Sequence, residues 1–177
     1  PPVIINKNIA RGLGYPEYET GEGYRVDDQY LVGTSEHSII PMHMDETFDA
    51  KDLPKRYVGF STAFRREAGS YGKDTRGIFR VHQFDKVEMV SFVVPQDADL
   101  EHDYLLSLEE KMVKGLDLPY QVVKMCTGDL GFPTARKYDI EIWMPSQEKY
   151  RETHSASTNT DFQARRLNIK YQKGNEK

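Results

Sequence analysis

Apolar and polar positions along this chain change their period several times, and each change predicts an element. Residues 30–32 (YLV) form a short apolar run stopped at Gly33, which predicts a strand. Beyond it, Thr34 or Ser35 suits the cap of a helix over 35–46, with Glu36 in its first turn. Pro41 falls inside that span and should interrupt or bend it, because proline has no N–H to donate. Two longer strand-like runs follow within 57–94, YVGFSTAFRRE and IFRVHQFDKVEMVSFVV. They flank AGSYGKDTRG, whose Gly, Ser and Asp suit a connection longer than a tight hairpin turn.

Leu100, Tyr104, Leu105, Leu108 and Met112 recur at helical spacing, so 97–115 reads as a helix packed on the sheet. A strand at 120–125 leads into the turn CTGDLGFPTAR. The run YDIEIWM then alternates Tyr138, Ile140, Ile142 and Met144 on one face with Asp139, Glu141 and Trp143 on the other. The predicted class is α+β, with mostly antiparallel strands and one long helix. No Gly-rich strand-to-helix turn of the Rossmann or P-loop kind is present. The abrupt start, with Val3, Ile4 and Ile5 after two prolines, reads as the interior of a longer chain, and residues 172–177 read as a disordered tail.

Composition narrows the picture. At 177 residues there is room for one domain with a real core. The net charge of −4 carries no basic surplus, so any RNA contact must be local or lie on a segment outside this chain. No apolar run approaches membrane-spanning length and the start lacks a secretory pattern, so a soluble, cytoplasmic protein without a membrane partner is expected. The single cysteine, Cys126, excludes an internal disulfide and disfavours a Cys-rich zinc site; it reads as a small buried residue. Among the five histidines, His37 and His43 lie six apart, which aligns them on neither helix nor ligand spacing.

Strand parity gathers the chemistry. Arg80, His82, Phe84, Lys86 and Glu88 would share one strand face, and Arg65 and Glu67 would share another. If those strands pair, one surface carries guanidinium groups for phosphates, a ring for stacking and carboxylates for amines. From pattern alone, a solvated sheet face is the more frequent meaning of such charges. Asp139 and Glu141 form a second carboxylate pair, to which no acid–base role is assigned.

The segment FRREAGSYGKDTRGIFRVHQFDKVE, residues 64–88, resembles motif 2 of seryl-tRNA synthetases almost from end to end. GTSE at 33–36, CTGDLGF at 126–132 and YRETHSASTNTDFQARR at 150–166 agree with the same family in order and spacing. The resemblance runs from Pro2 to about Tyr171 and implies residues 1–171 as a partial class II catalytic domain, an antiparallel sheet flanked by helices. It implies activation of L-serine with ATP to seryl-adenylate, transfer to tRNA(Ser), Mg2+ as cofactor, and a homodimeric parent.

By the same resemblance, Arg65 would hold the α-phosphate and the serine carboxylate, Glu67 the adenine amine, and Arg80 the γ-phosphate. Phe84 would stack on adenine, with Arg66, Val81, His82 and Gln83 completing the ATP contacts. Glu152 and Ser155 would bind magnesium, with Thr153 and His154 beside them at the nucleotide. Thr34, Ser35, Glu36 and Glu88 would line the serine pocket. The family often reads EISSCSN where this chain has ETHSAST at 152–158. Its motif 3 helix, its tRNA-binding arm and most of motif 1 have no counterpart here, so the sheet should expose apolar surface. Two other readings stand beside it: an amino acid:carrier-protein ligase, whose zinc-dependent branch needs cysteine ligands, and a non-catalytic class II paralogue.

Overall fold

The computed structural model describes residues 1–15, 21, 23–67 and 77–172. Most of the AGSYGKDTRG connection lies outside them, as does the expected disordered tail except Gln172, which ends a strand. In chain order, the first elements are β1 (Ile4–Asn6), α1 (Lys7–Leu13), β2 (Arg25–Val26), β3 (Gln29–Leu31) and α2 (Glu36–Ile39). Then come β4 (Thr47–Asp49), β5 (Lys55–Phe64), β6 (Gln83–Phe92) and α3 (Ala98–Gly115). The last are β7 (Tyr120–Lys124), β8 (Arg136–Met144), β9 (Lys149–Thr158), α4 (Phe162–Arg166) and β10 (Lys170–Gln172). The pairing is antiparallel throughout except for β4 with β10, so the α+β class stands.

The chain divides into two compact units, residues 1–92 with 162–177, and residues 93–161. In the first, Leu13, Ile39, Ile40, Phe48, Val90, Leu167 and Ile169 form one buried cluster, and Ile5, Ala10, Tyr30 and Val32 another. The helix expected over 35–46 is shorter: α2 ends at Ile39 and a 3-10 turn over Ile40–His43 replaces the rest. Pro41 stands at the start of that turn, where its missing N–H costs no hydrogen bond.

The β5–β6 pair is ten residues long on each side, in the register Gly59↔Glu88, Ser61↔Lys86 and Ala63↔Phe84. These residues share one face, because opposed residues in an antiparallel pair point the same way. Gly59, Ser61 and Ala63 are buried, and a Cβ on Gly59 would come within 2.5 Å of Ile39 Cδ1 and 2.9 Å of Ser35 Oγ. The missing side chain is what lets α2 lie this close to the hairpin. The opposite face exposes Val58 (72%), Phe60 (64%) and Val87 (59%), the apolar surface expected of this sheet.

In the second unit, β8 lies between β7 and β9, with α3 against β8 and β9. The face of α3 that packs differs from the one its periodicity suggests. Leu100, Tyr104 and Met112 are exposed, while Glu101, His102, Glu109 and Val113 are buried. Hydrogen bonds offset the burial of His102: its Nε2 lies 2.8 Å from the Ala156 carbonyl, and Arg136 Nε donates to its Nδ1 at 3.0 Å. Arg136 also pairs with Asp99 at 3.1 Å. Cys126 is exposed, not buried, in a turn where its Sγ lies 3.5 Å from Asp129 Oδ2.

Candidate active site

Strand parity holds for only part of the first unit's constellation. β5 stops at Phe64 and β6 starts at Gln83, so Arg65, Glu67, Arg80 and His82 are not strand residues. Glu67 takes a left-handed conformation (φ 54°), which ends any regular strand. Backbone contacts still continue for one step: the Arg65 N–H donates to the His82 carbonyl at 3.0 Å, and His82 Nδ1 lies 3.1 Å from the Arg65 carbonyl. Arg80 and Glu67 are brought together as an ion pair. The Arg65 guanidinium lies 5.2 Å from the Phe84 ring centroid, and its Nε donates to the Gly33 carbonyl at 3.1 Å. Arg66 sits over Tyr24 at 5.0 Å, on a neighbouring part of the surface. Val81 is half-buried and Gln83 exposed.

A second group lies where α2 meets β6. The buried Thr34 hydroxyl donates to Glu88 Oε2, and the Lys86 ammonium donates to the same oxygen. Lys86 Nζ is also 3.4 Å from Thr34 Oγ1. Glu36 is half-buried and held on one oxygen by Gln163 Nε2 at 2.7 Å and the Tyr15 hydroxyl at 3.2 Å. Burial, and secondly the nearby Glu88 charge, push its carboxyl above the usual carboxylate range. His37, one residue on, is fully buried, and Nδ1 accepts the Gly33 N–H at 3.4 Å. Burial first, then the Arg65 and Lys86 charges, push its imidazole down to about 3, so it is neutral at pH 7. Ser35 does not join this group: it is fully buried and its hydroxyl donates to the Gly59 carbonyl at 3.1 Å.

The second unit holds the remaining residues. Glu152 and Ser155 are three apart, and regular alternation would send them to opposite faces. A β-bulge prevents this: Glu152 pairs with Glu141, His154 with Ile140 and Ser155 with Asp139, leaving Thr153 as the extra residue. Glu152, Ser155, Glu141 and Asp139 therefore share one face. Thr153 turns its hydroxyl to the Ile140 carbonyl at 3.2 Å, and His154 Nδ1 lies 2.8 Å from that hydroxyl. Lys137 bridges the carboxylates, 2.9 Å from Asp139 and 3.6 Å from Glu152. Desolvation raises the Asp139 carboxyl above its ordinary value, and Lys137 opposes the shift. Among the described residues no cluster of three or more His, Cys, Asp or Glu forms a metal cage. Glu152 and Ser155 are exposed hard-oxygen donors on one face, which fits a magnesium ion that takes most of its ligands from phosphate and water.

Sequence reasoning missed Gly59, Tyr15 and Gln163, which set the position of α2 and Glu36. Only Gln163, inside the DFQARR segment, carried any signal.

Antiparallel strands flanked by helices, with an arginine beside a ring at the end of one hairpin, match the architecture of class II aminoacyl-tRNA synthetases. The chain belongs to that family: the tRNA synthetase class II core domain (G, H, P, S and T) matches residues 20–177. Within it, the chain is 52% identical to the serine--tRNA ligase of Rhodococcus jostii, over all of this chain and 43% of that protein. It is 53% identical to serine--tRNA ligase 1 of Streptomyces avermitilis, over 98% of this chain and 41% of that protein. A seryl-tRNA synthetase from Pyrococcus horikoshii, solved with ATP, superposes with TM-score 0.96 at 47% identity, covering the whole chain and 40% of that structure. The chain thus spans about two fifths of the length of the relatives it matches. A prolyl-tRNA synthetase from Giardia lamblia, 16% identical with TM-score 0.84, shares the fold.

Proposed function

We propose that this chain is the core of a serine--tRNA ligase that activates L-serine with ATP and then passes serine to tRNA(Ser). The observation that carries it is the Thr34–Glu88–Lys86 group on the hairpin face that also bears Phe84, with Arg65 at the hairpin's end. Glu88 accepts hydrogen bonds and attracts an ammonium, Thr34 orders it, and Arg65 offers a planar fork to carboxylate and phosphate. In the reaction, a serine carboxylate oxygen attacks the α-phosphorus as the bond to pyrophosphate breaks, and pyrophosphate leaves with the electron pair. A carboxylate is already ionised at neutral pH, so no general base is needed and catalysis rests on alignment and charge stabilisation.

Arg65 faces the α-phosphate and serine carboxylate in this reading, Arg80 the γ-phosphate, and Glu67 the adenine amine, with Arg66 among the other ATP contacts. Phe84 supplies the stacking surface, with Val81, His82 and Gln83 beside it. Binding requires Arg80 and Glu67 to exchange their mutual ion pair for ligand contacts. Glu152 and Ser155 would hold magnesium, with Thr153 and His154 next to them. When bound, that ion neutralises phosphate charge. The parent enzyme functions as a homodimer in the cytoplasm; among the described residues no helix is long and apolar enough to cross a membrane.

Pyrophosphate exchange by the full-length parent, with each amino acid in turn, tests the reading. Exchange with serine well above threonine, alanine and proline is expected. Exchange driven by another amino acid, or loading of a carrier protein in place of tRNA, overturns it.

A further inference from the structure

We infer that Lys86 is a positioning residue for amino-acid recognition, which together with Thr34 fixes one oxygen of Glu88 so that the carboxylate meets the ligand in a single orientation. This rests on the serine reading above and deepens it. An unrestrained glutamate rotates about its terminal bond and offers either oxygen to a ligand. Here Oε2 receives two donors, the Thr34 hydroxyl and the Lys86 ammonium, and those donors also approach each other at 3.4 Å. The three side chains form a closed triangle built from two elements, since Thr34 stands before α2 while Lys86 and Glu88 stand on β6. Thr34 is buried, and the Glu88 side chain is 16% exposed. Neither group can swing aside without leaving a polar atom poorly solvated.

The ammonium has a second task. Glu36 and Glu88 face each other across the contact between α2 and β6, and their charges repel. Lys86 is the cation that offsets both, while Arg65 is engaged by the Gly33 carbonyl and the Phe84 ring. Lys86 therefore lets two carboxylates stand at one pocket without drawing on the arginine that a substrate carboxylate would need. A merely structural ion pair two residues apart on a strand would touch no ligand and leave the serine KM unchanged when broken.

Lys86→Met and Lys86→Arg in the full-length parent separate these meanings. Pyrophosphate exchange would give KM for serine and for ATP. Loss of the charged hydrogen bond in Lys86→Met should raise the serine KM by about 10- to 100-fold. The ATP KM should stay within twofold of the parent's, and Lys86→Arg should recover at least half of the lost affinity on a logarithmic scale. An unchanged serine KM in Lys86→Met, an equal rise in both KM values, or an Arg variant no better than Met would each overturn the inference. If Lys86→Met does not fold, as judged by its urea transition, Lys86→Gln is read by the same criteria. Should the unmutated parent fail to exchange with serine at all, the functional reading fails, and that outcome is distinct from a parent that exchanges while its Lys86 variants behave normally.

Discussion

Arg65 shows how a side chain can serve several partners at once. Its Nε is committed to the Gly33 carbonyl and its planar face to Phe84, and in the proposed reading the outer edge of the guanidinium meets the ligand. A lysine at this position would keep the charge and lose both the stacking and the fork. Arg65→Lys in the full-length parent should therefore lower serine-dependent pyrophosphate exchange about ten- to a hundredfold, near the loss expected for Arg65→Ala, since a charged hydrogen bond contributes about 1.5–3 kcal/mol. Full exchange activity in Arg65→Lys would remove Arg65 from the phosphate site. At this scale the sequence was informative where a residue type has one chemistry. It was silent on Glu36, whose carboxyl is raised by burial and the Glu88 charge against the opposing hydrogen bonds of Tyr15 and Gln163, residues 21 positions before and 127 positions after it.

At the level of elements, two local irregularities arrange the site. Gly59 lies opposite Glu88 and leaves no room for a methyl group against Ile39 and Ser35. Gly59→Ala should push α2 away from the hairpin, destabilise the fold by about 1–3 kcal/mol in urea titrations, and raise the serine KM more than the ATP KM. Equal stability and unchanged serine KM would mean that α2 does not set the pocket. The bulge at Thr153 is the second irregularity. Inserting one residue between Ile140 and Glu141 should give Thr153 a partner, restore regular alternation and send Glu152 and Ser155 to opposite faces. Mn2+ bound with ATP, followed by its paramagnetic signal, should then bind more weakly, while serine affinity measured without metal stays the same. Strand pattern alone places Glu152 and Ser155 apart, and only the family resemblance paired them.

For the whole molecule, the pH dependence of stability combines opposing groups. His37 has a folded-state value near 3 against an ordinary 6.5, so its contribution is fully present above about pH 6.5 and is lost as pH falls towards 3. Glu36 is shifted the other way: its carboxyl is raised above 4.5, so the folded state gains on acidification and loses stability as pH rises through that window. His37→Phe should flatten the decline in unfolding free energy between pH 6.5 and 4, measured by urea titration at several pH values. An unchanged slope would show that the imidazole is not the group that titrates. By itself the sequence determined the long elements and their class, because α3, β5–β6, β7 and β8 each carry a local period or propensity strong enough to read in isolation. It also determined, through the motif at 64–88, which residues to examine. Tertiary structure alone decided which face of α3 is buried, because His102 reaches the interior only where the distant partners Arg136 and Ala156 meet it. It likewise decided that Thr34, Lys86 and Glu88 close into one group. Hydrogen bonds between residues more than fifty positions apart depend on the register of the hairpin and the approach of α2, and neither leaves a periodic trace in the chain.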